Sequence, residues 1–139
     1  MANREEKQAY IDEMARKRGY VLDYHKVMTE HDFEVLQATN NLVSAAYLDE
    51  RRLDRNTKEL IFIVSLTVMR ASKGHIQSHI RVALDLGVSK EEILEAIEIT
   101  LPEAGVVVFQ EGFDAWREVV GAEGIEPSVE VYGGGSGSR

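Results

Sequence analysis

Apolar residues recur at three- and four-residue spacing through most of this chain, so the pattern reads as one helix after another. Asn3 and Glu6 have capping-box spacing, Tyr10, Ile11 and Met14 form one apolar stripe, and Gly19 is a natural stop. A short helix is expected over Leu22 to Thr29. Another starts near His31-Asp32 and carries Phe33, Leu36, Leu42, Val43 and Ala46. Leu48 to Arg55 is charged and reads as a loop. Asn56 to Arg70 is the central helix, apolar nearly all round and therefore expected to be buried on most sides. Its β-branched residues would also suit a strand; its length and an Asn56…Glu59 cap favour helix.

The second half continues the series. Gly74 marks a break before a helix from His75 to Leu86, and Gly87 ends that helix. Ser89 and Glu92 form a capping box for the next, running to about Leu101, with Pro102 as a boundary. Glu103 to Val120 is the last helix, with Val106, Val107, Phe109, Phe113 and Trp116 on it. No strong hairpin signal appears. Residues 121–132 read as an extended arm. The Gly/Ser run at 133–139 reads as an expression or fusion linker and is set apart from the fold.

Composition narrows the class. A chain of 139 residues reads as one domain over 1–132, able to bury a core but gaining from oligomerisation. The net charge of −8 argues against nucleic-acid binding, which needs clustered Lys and Arg. The only basic clusters, Arg16-Lys17-Arg18 and Arg51-Arg52, have acidic residues close by. No apolar run is long enough for a membrane span, and the N-terminus lacks the apolar core of a signal peptide, so a cytoplasmic setting without membrane contact is expected. There are no cysteines, which excludes disulfides, thiolate metal sites and thiol catalysis.

The candidate chemistry lies in one stretch. Ser72, His75 and His79 are spaced i, i+3, i+7 and share a face if one helix runs through Gly74. His75 and His79 can be polar or interface histidines, acid/base or substrate-contacting groups, or two ligands of a metal that would need a third. Ser72 lacks an oxyanion-hole sequence and reads better as a helix-end or turn serine than as a nucleophile. Glu59 has two readings that can coexist: a helix cap with Asn56, or a buried carboxylate facing the histidines and useful for proton transfer. His25 and His31 read as solvated or capping residues. Phe113 and Trp116 read as core or subunit contact. The Val106-Val-Val-Phe109 run is apolar enough for an intersubunit patch.

Taken together, Lys58-Glu59-Leu-Ile, the apolar helix, His79-Ile-Arg-Val-Ala-Leu84 and Gly87-Val-Ser-Lys-Glu-Glu-Ile93 resemble the carboxymuconolactone decarboxylase family. The resemblance covers about Arg55 to Trp116. It implies an all-α, AhpD-like helical bundle of about six to seven helices that assembles as a homotrimer or homohexamer. Redox members of that family carry a Cys-x-x-Cys pair followed four residues later by a His, with an upstream Glu that relays protons. Counting back from His79 puts Ser72 and His75 at the two cysteine positions, so thiol peroxidase activity is not expected. The decarboxylase branch does not use the pair. The resemblance makes Glu59, His75 and His79 the candidate catalytic residues. The Glu59-to-His79 spacing is one residue longer than the family's, which places an insertion near Met69 to Gly74.

Three functions follow as expectations. The first is a lyase of the decarboxylase type, acting by acid/base chemistry on a small acidic lactone or carbonyl acid. Ser72 and Arg81, or Arg70, would contact its polar groups, and no cofactor or resident metal is required. The second is a non-catalytic oligomeric scaffold, even a designed one with a designed partner component. Ala45-Ala46-Tyr47-Leu48 and Val106 to Phe109 would be its first surfaces. The third is a metal or small-ligand binder through His75 and His79.

Overall fold

Several of the helices begin where a short polar side chain takes up a free backbone N–H. The Asn3 side chain accepts from the Glu6 N–H while the Glu6 carboxylate accepts from the Asn3 N–H, which opens α1 (Arg4–Arg18). Gly19, at φ 86°, closes that helix in the left-handed conformation. The computed structural model describes residues 1–124. Its regular elements are all helical: α1, α2 (Asp23–His31), α3 (Phe33–Val43), a π-helical segment (Ser44–Leu48), α4 (Arg55–Val68), α5 (Lys73–Asp85), α6 (Lys90–Glu98), the single turn α7 (Thr100–Ala104) and α8 (Val106–Val120). The expected all-α class therefore holds among the described residues. Most of the arm predicted over 121–132, and the whole Gly/Ser run at 133–139, lie outside them.

Helices α4, α5, α6 and α8 enclose the main core. Ile63 and Leu66 of α4 meet Ile76, Ile80 and Ala83 of α5, Ile93 and Ile97 of α6, and Ala115 and Trp116 of α8. Each fully buried Ile contributes about 1.5–3 kcal/mol by leaving water. Trp116 satisfies its indole N–H on the Lys90 carbonyl at 2.9 Å, so it is core, as expected. Gly112 lets α8 come close: a Cβ there would lie 2.6 Å from Thr67 Oγ1 and 2.9 Å from Ile97 Cγ2. No helix among the described residues is long and apolar enough to cross a membrane.

Several local expectations change. The cap of α4 is Asp54, which accepts from the Thr57 N–H at 2.7 Å, and not the Asn56…Glu59 pair. Starting the helix at Arg55 carries Glu59 past the free N–H groups of the first turn and turns it inward. Gly74 does not break a helix; Ser72 caps α5, accepting from the His75 N–H at 3.3 Å, and Gly74 lies within its first turn. Pro102 is not a boundary either. It sits in the first turn of α7, where its missing N–H has no helical partner to lose, and the break falls at Gly105, φ 88°. The central helix α4 is less enclosed than its sequence suggests, because Ile61, Val68 and Met69 stay exposed. His25 is buried rather than solvated; its Nδ1 accepts the Leu22 N–H at 3.0 Å, so its role is that of a cap.

Candidate active site

Glu59 and His79 meet in the interior. Both side chains are 0% exposed, and Glu59 Oε1 lies 2.8 Å from His79 Nδ1. The pairing follows from the hairpin of α4 and α5, joined through Met69–Ser72 with Arg70 at a left-handed φ of 57°. Phe62 stacks on the His79 ring with centroids 4.6 Å apart, so the two residues sit at one level of the hairpin. Glu59, one turn before Phe62, reaches the ring from the side away from the connection.

The other carboxylate oxygen is equally occupied. Glu59 Oε2 accepts from the Tyr47 hydroxyl and from Arg55 Nε at 3.4 Å, and Arg55 Nη2 donates to the Tyr47 oxygen at 3.0 Å. Arg55 also donates to the carbonyls of Lys17 and Arg18, at 3.3 and 2.8 Å, tying the end of α1 to the site. Its guanidinium carbon lies 4.6 Å from the Tyr47 ring centroid. Three donors around one buried carboxylate offset its loss of hydration, which unpaired would cost several kcal/mol.

With the Tyr47 hydroxyl and Arg55 donating to Glu59 Oε2, Oε1 is left to meet His79 Nδ1. His79 Nε2 is buried without a hydrogen-bond partner among the described residues. His75 stands one turn before His79 on α5, with ring centroids 5.6 Å apart. Tyr20 closes the ring's edge at 4.8 Å. Burial, and then the bond to Glu59, hold the Tyr47 phenol well above the usual tyrosine range; burial likewise raises Tyr20. Burial, helped by His79, pushes His75 below the ordinary histidine range, which favours its neutral form.

A surface cleft of about 540 Å³ opens at the start of α5. Ser72, Gly74, His75 and Ser78 form one wall, and Val21 to Tyr24 form the other. Thus His75 is half-buried at the cleft while His79 lies behind it. Ser72 sits at the rim; its oxygen is used in capping and its O–H remains available as a donor. Arg81 is not brought to the site: it is exposed, two residues round the helix from His79. Arg70 is also elsewhere, paired with Glu111 at 3.1 Å. The cation at the centre is Arg55. No third His or acidic ligand joins His75 and His79 in a metal-holding group among the described residues.

Sequence reading missed Tyr47, Arg55 and Tyr20. Tyr47 was hidden because the π-helical segment, not an α-helical continuation, swings it inward, and such segments favour functional sites. Arg55 stood at the end of an expected loop but lies four residues before Glu59 on one helix face, a spacing that signals an ion pair once the helix start is known.

The fold is a helical bundle with a buried glutamate–histidine pair at its centre. The model of the carboxymuconolactone decarboxylase family matches residues 34–118, more than half of the chain, and the protein belongs to that family, its bundle being of the AhpD-like kind. No curated protein and no solved structure matched the chain. The matched span includes Tyr47, Arg55, Glu59 and His79. Tyr20 and the cleft wall from Val21 to Tyr24 precede it.

Proposed function

We propose that the protein is an acid/base catalyst of the decarboxylase type, acting on a small acidic lactone or carbonyl acid without thiol chemistry. The observation that carries this reading is the buried Glu59–His79 bond with the opposite His79 nitrogen left unpartnered. An imidazole oriented by a carboxylate is a stronger base at its free nitrogen, and its tautomer is fixed. His75 at the cleft meets the substrate, and the histidine pair takes the proton of the substrate's carboxyl group; the C–C bond then breaks to release CO₂, its electrons pass into the adjacent carbonyl as an enolate, and the same proton returns to the enolate carbon. Ser72 supplies a hydroxyl donor to a substrate oxygen at the rim. Turnover of a panel of such acids tests the reading. His79→Gln and Glu59→Gln should lower kcat by about 10²–10⁴-fold with the helical spectrum retained. Wild-type inertness toward the whole panel, or full activity of the His79 variant, ends it.

A second reading, a homotrimeric or homohexameric framework, is favoured by a separate observation. Ile61 and Val68 of α4, Met69 just after it and Ile99 beyond α6 are exposed around an apolar groove of about 560 Å³, and Val106 and Val107 are exposed at the start of α8. Light scattering should give a mass of three or six chains, reduced by Ile61→Glu with Val68→Glu. A monomer at 100 µM or so, well above the affinities of stable interfaces, removes it.

A further inference from the structure

The acid/base centre leaves one basic motif of the sequence unused. Arg51 and Arg52 stand on the loop between the π-helical segment and α4, and with Ala46, Leu53 and Lys58 they line a separate surface pocket of about 560 Å³. We infer that this pocket is a binding site for a small polyanion, a molecule carrying two or more carboxylates or phosphates.

No direct ion pair takes up these charges among the described residues. Arg51 and Arg52 are exposed, and neither forms an ion pair or a side-chain hydrogen bond among the described residues. The Lys58 ammonium is held only by neutral backbone oxygens, those of Tyr47 at 3.4 Å and Asp49 at 3.3 Å. Asp49, Glu50 and Asp54 line an adjoining hollow that shares Arg51, Arg52, Leu53 and Lys58 with this pocket, but none of the three carboxylates lines the pocket itself or pairs with these cations among the described residues. Three cations thus converge on one concavity in a chain of net charge −8, where the overall field would otherwise repel anions.

The pocket is also pre-shaped. Its loop is fixed at one end by the Lys58 bonds to Tyr47 and Asp49 and at the other by the Asp54 cap, so little ordering cost remains for a ligand. Guanidinium forks pair bidentately with carboxylate and phosphate, and the volume suits a small molecule. Leu53 and Ala46 provide apolar surface for the body of such a ligand. The site is independent of the acid/base reading and stands or falls alone.

Two probes test it on the full chain: citrate for polycarboxylates and inorganic pyrophosphate for polyphosphates, each titrated by calorimetry at 150 mM salt with NMR mapping of the loop amides. Saturable binding of either probe, shifting residues 51–58, supports the site, and the probe that binds names the anion class. Arg51→Gln with Arg52→Gln should weaken it by about tenfold or more, and Lys58→Gln by a smaller factor; both double-variant residues are exposed loop positions, so folding is preserved. Arg16→Gln with Lys17→Gln, removing the other basic cluster, should leave affinity unchanged. Absence of binding to the wild type, or equal affinity in the Arg51/Arg52 variant, overturns the inference.

Discussion

Glu59 Oε1 and His79 Nδ1 are 2.8 Å apart inside the bundle, although one residue belongs to the second turn of α4 and the other to the middle of α5. The hairpin brings them level to within one turn, and Phe62 stacked on the imidazole fixes the ring plane. The second carboxylate oxygen faces the Tyr47 hydroxyl and the Arg55 guanidinium, so both oxygens of Glu59 are engaged.

Glu59→Gln therefore sets an amide NH₂ against donors, or leaves His79 without its acceptor. A loss of about 1–3 kcal/mol is expected in urea unfolding at pH 7, from one buried polar group left unpaired. A variant as stable as the wild type would show that the bonds of Glu59 to His79, Tyr47 and Arg55 do not hold the centre.

Arg55 spans four partners at once, so Arg55→Lys, which keeps the charge but loses the fork, should release α1. Hydrogen exchange of residues 4–18 is expected to speed up by about tenfold, with a stability loss of about 1 kcal/mol. Unchanged exchange in α1 would mean that the Lys17 and Arg18 carbonyls are not what anchors it.

Stability should depend on pH through His25. Burial, and then Arg18 and His75, push its pKa down to about 4. The folded state then binds fewer protons than the unfolded state between pH 4 and 6.5. The contribution is complete above pH 6.5 and is lost as pH falls through that window, by an amount of order 2–3 kcal/mol. His25→Asn keeps an acceptor for the Leu22 N–H but cannot titrate. Its urea midpoint should be flatter over the same range, apart from the parallel contribution of His75.

Gly112→Ala tests the close approach of α8. In an exposed helix the change would stabilise; here the new methyl meets Thr67 Oγ1 and Ile97 Cγ2, and a loss of about 1–3 kcal/mol is expected in thermal unfolding. A rise in melting temperature would indicate that α8 is free to shift outward.

The sequence by itself determined the helices, the absence of thiol chemistry, the family resemblance and the two residues at the centre. Helical periodicity, capping boxes at Asn3 and Ser89, and glycine stops at Gly19 and Gly87 are local signals, set by backbone hydrogen bonding within a few residues. Which of the two roles Glu59 takes turned on two things: a local one, the Asp54 cap on the Thr57 N–H that sets where α4 starts, and a tertiary one, the partners His79 and Tyr47 that meet the inward-turned carboxylate. Tertiary structure alone supplied Tyr47, through a π-helical segment that no spacing announces, and Tyr20 and the Lys17 and Arg18 carbonyls, through packing of α1 against the start of α4. It also withdrew Arg81 from the site, because two residues along a helix is slightly more than a half-turn away from His79. A buried charge needs partners from every direction, and only the closed fold brings partners from distant parts of a chain to one point.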